Sequence, residues 1–146
     1  MNKLRLILGD QLNINHSWFK ENNSKTTYVL MEVKEETSYV LHHAQKIIAT
    51  FAAMRFFAEQ LQQKGFEVIY FKINDKANEQ SFFQNINKII KEKNIGELQY
   101  LEPDEYRLST ELKKLESIEN LKVELVDTEH FLVPKLYAKD FFSEKK

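Results

Sequence analysis

The sequence predicts an α/β domain, with a five-stranded parallel sheet in a Rossmann-like or flavodoxin-like three-layer sandwich. Three observations predict it. Five short runs are rich in branched and aromatic residues, and the stretches between them carry apolar residues at steps of three and four. Two of those stretches run into a glycine, Gly65 and Gly96, where a helix would stop. Strands that alternate with helices need crossover connections, which gives a parallel sheet and right-handed turns of chain.

The elements follow in order. Leu4–Leu8 is a short apolar run ending at Gly9, and reads as the first strand. Asn15–Lys20 has room for one or two helical turns. Tyr28–Val33 is the second strand and delivers the chain to Glu32. One long helix follows, its apolar stripe drawn by Val40, Ala44, Ile47, Phe51, Met54, Ala58 and Leu61. Glu67–Ile73 is the third strand. Ser81–Lys93 is a helix with Phe82, Ile86, Ile89 and Ile90 inward, ahead of a fourth strand at Glu97–Leu101. Glu105–Ser117 is a helix with Leu108, Leu112 and Leu115 inward, and Pro103 with the acids after it suits its start. Lys122–Val126 is the fifth strand. The remainder, from Phe131 to Phe142, is rich in aromatics before a polar end. It is expected to pack on the outer layer or on something outside this chain, and a dimer through this tail is one outcome.

The chain has 146 residues, enough for one domain with a proper core. It is 42% hydrophobic and 29% charged, as soluble globular chains are. The net charge is -1, whereas a domain built to grip phosphate backbones is usually basic. DNA binding by this segment alone is therefore not expected. With no cysteine, disulfides, thiolate zinc sites and iron–sulfur ligation within this segment are excluded, and a cytoplasmic setting fits. The amino-terminal apolar run is too short for a signal peptide, and no stretch approaches a membrane span.

Ligands of such sheets sit outside the carboxyl ends of the strands, where the strand order reverses. The residues to weigh are thus Gly9 to Leu12, Glu32 to Glu36, Asn74 and Asp75, Glu102 to Asp104, and Asp127. There are three glycines in all, so neither a dinucleotide fingerprint nor a Walker A loop can be written. Gly9 turns the chain after strand one with Asp10 and Gln11 toward the crevice, although spacing alone favours an ordinary strand-end turn in which Asp10 caps local backbone. A magnesium or receiver-type site would need an acidic pair after strand one, and only Asp10 stands there. On a helix His42 and His43 would point about 100° apart, so they would not grip one metal ion together. Tyr39, His43 and Lys46 would share one helix edge, which spacing alone leaves as a solvated edge or a binding wall. No nucleophile elbow occurs, and no catalytic residue is assigned.

A series of motifs in order carries a resemblance. They are Leu6-Ile-Leu-Gly9-Asp10-Gln11-Leu12, His16-Ser-Trp18-Phe, Met31-Glu32-Val, Glu36-x-x-Tyr39-Val-x-His42-His43-x-Gln-Lys46-Ile47, Phe51-x-Ala-Met54-Arg55-x-Phe-Ala, and Glu102-Pro103-x-Glu-Tyr106-Arg107-Leu108. Together they resemble the amino-terminal domain of the deoxyribodipyrimidine photolyase-related proteins, the bacterial photolyases and cryptochromes with an iron–sulfur cluster. The resemblance implies an antenna domain over residues 1–130. Residues 131–146 would then begin a connector to a carboxyl-terminal domain, absent from this chain, that holds FAD and a 4Fe–4S cluster.

It also implies an antenna pigment, 6,7-dimethyl-8-ribityllumazine, near the strand ends. Gly9, Asp10 and Gln11 would line one wall of its site, and Glu32, Glu36, Tyr39, His43 and Ile47 the other. Glu32→Ala would then weaken pigment binding without unfolding the domain. Two positions depart from the pattern. Ala44 stands where a larger, often basic, residue is usual, and Ile48 where small residues are. The segment alone would make or break no bond. The intact parent would be a deoxyribodipyrimidine or (6-4) photolyase, with DNA reached through the parent only. A blue-light photoreceptor parent, a stand-alone flavodoxin-like cofactor-binding module and a structural α/β module that binds nothing are the alternatives.

Overall fold

The computed structural model describes residues 1–38, 43–131, 133, 137 and 141–143. Its strands are β1 (Asn2–Leu6), β2 (Thr26–Met31), β3 (Glu67–Phe71), β4 (Ile95–Leu101) and β5 (Lys122–Val126). All pair in parallel, in the order β3-β2-β1-β4-β5. The order reverses between β1 and β4, so the crevice of interest opens at the carboxyl ends of those two strands. This is the Rossmann order 3-2-1-4-5-6 without its sixth strand.

Period-two alternation assigns each face. Leu4, Leu6, Val29, Met31, Leu98 and Tyr100 face one layer, where α3 (Phe82–Lys93) and α4 (Tyr106–Lys113) bring Ile86, Ile89, Leu108 and Leu112 onto them. Ile7, Tyr28, Leu30 and Leu101 face the other layer, under Met54, Phe57, Ala58 and Leu61 of α2 (Ala44–Gln63) and Trp18 of a single 3-10 turn at Ser17–Phe19. On this second face β1, β4 and β5 present polar residues instead. Arg5 donates to Gln99 and to the Tyr28 hydroxyl, Gln99 donates to Glu124, and Lys3 pairs with Glu97. Helical cover is therefore needed over only half of that face.

Two elements differ from the sequence expectation. The long helix begins at Ala44, with His43 as an extended N-cap residue (φ -65°, ψ 131°), and a separate short helix α1 spans Lys34–Ser38. Its apolar stripe is buried only from Met54 onward; Ala44 is exposed and Ile47 and Phe51 are half-buried. Val40 lies outside the described residues. Gly65 ends α2 as expected. Its φ is +85°, Gly65 N–H donates to Gln62, and Phe66 N–H reaches back to Leu61, the paired bonds of a Schellman turn. Gly96 has no such role. The left-handed residue after α3 is Asn94 (φ 51°), and Gly96 lies inside β4. A side chain at position 96 would meet Met1 at 2.6 Å, so glycine there makes room for the amino terminus.

Among the described residues no helix is long and apolar enough to cross a membrane. In the last segment Phe131, Val133, Tyr137, Phe141 and Phe142 are exposed rather than packed on the sheet, with the rings of Tyr137 and Phe141 stacked on each other.

Candidate functional site

A cleft of about 320 Å³ opens at the carboxyl ends of β1, β2 and β4. Each wall follows from the fold. Gly9 and Asp10 leave β1, Met31 and Val33 leave β2, and Pro103 and Glu105 leave β4. Lys46, Ile47, Thr50, Phe51 and Met54 come down from α2, Phe82 and Leu108 come up from α3 and α4, and Glu36 and Thr37 close one end from α1. Gly9 is glycine for space. A Cβ there would stand 3.0 Å from both Met54 Sδ and Thr50 Cγ2, against the cleft wall.

The lining divides by chemistry. Met31, Val33, Ile47, Phe51, Met54, Phe82 and Leu108 offer apolar cover for the faces of a flat ring. Asp10, Glu36, Thr37, Lys46 and Thr50 offer hydrogen-bonding groups at the edge. Arg107 organises one end. Its Nη2 donates to Glu36 at 2.7 Å and its Nε to Glu105 at 2.9 Å, tying α4 to α1. Burial works against the Arg107 charge, but Glu36 and Glu105 outweigh it and raise its pKa. Glu36 is thus an ion-paired carboxylate with acceptor capacity remaining. Among the described residues no cluster of three or more metal-ligating side chains occurs, and Asp75 is engaged elsewhere, capping Lys72 N–H at 2.7 Å.

The expected site residues separate. Gly9, Asp10, Glu36 and Ile47 meet in the cleft. Gln11 is buried beside it as a strut, accepting from Leu8 N–H and donating to the carbonyls of Leu101 and Glu102. It holds the β1 and β4 tips together across the reversal point. His43 is exposed ahead of α2 and not on the cleft wall, so it shares no helical edge with Lys46. Tyr39 and His42 lie outside the described residues.

Glu32 is fully buried and points away from the cleft. Met31 and Val33 take the cleft side, and alternation sends the residue between them beneath α2. There Arg55 grips both carboxylate oxygens, at 2.6 and 2.9 Å; the Tyr70 hydroxyl donates at 2.7 Å and Ile73 N–H at 2.8 Å. Burial by itself would raise the Glu32 carboxyl, but the bonds from Arg55, Ile73 and Tyr70 outweigh it and hold the pKa below 4.5. The same contact lifts the Tyr70 hydroxyl above its ordinary value, after burial as the larger cause. The network anchors α2 to β2 and β3.

Sequence reasoning passed over Thr50, Phe51, Phe82 and Arg107 as site residues. Thr50 was findable, since it stands one helical step of four beyond Lys46. Glu105 is a local partner of Arg107, but Glu36, 71 positions away, comes to it only through the sheet order.

The sequence matches the deoxyribodipyrimidine photo-lyase-related protein family over residues 5–146. It is 36% identical over 133 residues to a (6-4) photolyase of Agrobacterium fabrum, an alignment that covers 90% of this chain and 26% of that protein. The chain spans about a quarter of the length of that curated relative.

Proposed function

The chain belongs to the deoxyribodipyrimidine photo-lyase-related protein family, and from that premise we propose that it is an antenna domain whose strand-end cleft holds 6,7-dimethyl-8-ribityllumazine. The observation that carries the reading is the lining of the cleft, which combines apolar side chains with acids, hydroxyls and an amine at the point of strand reversal. Its volume of about 320 Å³ falls at the lower end of the range usual for small-molecule sites, roughly 300–1,000 Å³. Asp10, Thr50 and Glu36 would take the ribityl hydroxyls, and Ile47, Phe51 and Phe82 would cover the heterocycle. Lys46 stands at the edge as a donor for a ring carbonyl.

When bound, such a pigment absorbs light and hands the excitation to a flavin. The domain's own task is to fix its position and exclude water around it. FAD, a 4Fe–4S cluster and contact with DNA belong in this reading to a longer parent. There the captured light would serve repair of a pyrimidine photoproduct, as the name of the (6-4) photolyase relative supports. The net charge of -1 fits a segment that meets DNA only through such a parent.

Equilibrium dialysis of the 146-residue chain against the lumazine, read by its fluorescence, tests the proposal. One equivalent retained per chain is expected. No retention by protein whose circular dichroism is that of a folded α/β domain would overturn it.

A further inference from the structure

Helix α2 is apolar on the side that faces away from its own sheet. Met54, Phe57, Ala58 and Leu61 are spent on the core, yet Ile48, Ala49, Ala52, Ala53 and Phe56 are exposed. Ile48 is 67% and Phe56 62% accessible. A surface helix normally turns charge outward, and one that is apolar all round is a buried helix. The two basic residues of the helix do not change that. Arg55 is committed to Glu32, and Lys46 leans to the cleft.

The exposed row has a symmetry of its own. Gln45, Ile48, Ala52, Phe56 and Glu59 follow at steps of three, four, four and three, the same read in either direction about Ala52. A second helix laid antiparallel across Ala52 sets Ile48 against Phe56 of the other copy, twice. The methyl group of Ala52 on the axis permits an interhelical distance at the short end of the usual range, about 8 Å. The row's ends are complementary as well. Gln45 carries a donor at one end and Glu59 an acceptor at the other, and Glu59 is exposed with no ion-pair partner among the described residues. Antiparallel docking brings donors to the acceptor at both ends; parallel docking would set Glu59 against Glu59.

We propose that the outer face of α2 is a self-association surface, where a second copy of this chain packs its own α2 antiparallel about a two-fold axis through Ala52. A self-complementary patch is what a two-fold dimer requires. A groove beside the row, lined by Ile48, Phe51, Ala52, Arg55, Phe56 and Glu59, receives the partner's Phe56 and Ile48. The groove and the strand-end cleft share Phe51 and no other lining residue.

The chain's lack of cysteine makes the test direct. Sedimentation velocity of the 146-residue chain over a concentration series is expected to show a reversible monomer–dimer shift, lost in Ala52→Glu. Ala52→Cys, which needs no loss of folding to be read, is expected to form a disulfide-linked dimer on mild oxidation far faster than Lys113→Cys on α4. A chain that stays monomeric throughout, a dimer indifferent to Ala52→Glu while its circular dichroism is unchanged, or cross-linking at position 52 no faster than at 113 would each overturn the proposal. If the face is instead covered by further polypeptide of a longer protein, the monomeric outcome reports it.

Discussion

Glu32 illustrates how far one side chain's direction decides its role. Its place at the end of β2 was legible in the sequence, and so was its proximity to a ligand crevice. Its facing was legible too, since Met31 and Val33 occupy the cleft side and alternation sends Glu32 to the other. What the sequence does not display is the set of partners, Arg55 twenty-three positions on and Tyr70 thirty-eight positions on. Arg55 is 44% exposed and can take up water once the carboxylate is gone, so removing Glu32 is expected to cost about 1–3 kcal/mol, chiefly for the Tyr70 hydroxyl and the Ile73 N–H left unpaired. Glu32→Ala should therefore lower the midpoint of chemical denaturation, whereas the family resemblance alone implies a defect in pigment binding. Stability equal to wild type would refute the structural role. The pH dependence has a definite sign. A carboxyl held below 4.5 in the folded state stabilises the fold fully above that pH, and the contribution is lost as pH falls from 4.5 through the folded value. Glu32→Gln should show a shallower acid loss than wild type in denaturation midpoints between pH 5 and about pH 2; parallel curves would contradict this. Asp10→Asn, by contrast, removes a charge that lines the cleft and holds up nothing. It is expected to weaken lumazine binding by about tenfold, the loss of a charge-assisted bond, with the thermal midpoint unmoved.

At the scale of elements, the five strands, α3 and α4 were legible because their apolar periodicities are strong and their neighbours in sequence are their neighbours in space. α2 was legible as a helix and misleading as a surface. It has apolar residues on more than one side, so the stripe from Val40 to Leu61 could be drawn without revealing that full burial starts only at Met54, with Phe51 half-buried against the same cluster. The helix ends separate two glycines that look alike in sequence. Gly65 holds a left-handed φ of +85°, and an added Cβ would also come within 3.3 Å of Asn22 Nδ2. Gly65→Ala is expected to destabilise by about 1–2 kcal/mol. Gly96→Ala meets only the flexible side chain of Met1 and should change stability by no more than about 0.5 kcal/mol. Guanidinium melts of the two variants side by side would separate them, and equal losses would count against the assignment of Asn94 as the residue that ends α3.

For the whole molecule, the fold class followed from the alternation of strands and helices, but the strand order did not. Parallel strands in the order β3-β2-β1-β4-β5 place the reversal between β1 and β4, and that order is what collects Asp10, Glu36, Ile47 and Glu105 from four separate stretches of chain into one cleft. Gly9, Asp10 and Glu36 line that cleft and were weighed as strand-end positions, whereas Ile47 entered only through the resemblance; Gln11 and Glu32 lie at the same strand ends as structural supports. The central claim is that this cleft is the pigment site. It is tested most directly by titrating 6,7-dimethyl-8-ribityllumazine, followed by fluorescence anisotropy, into wild type and into Thr50→Phe, which fills the cleft from α2. Saturable one-to-one binding by wild type and its loss in a folded Thr50→Phe variant is the predicted result; binding that is absent from wild type, or indifferent to the filled cleft, would contradict it.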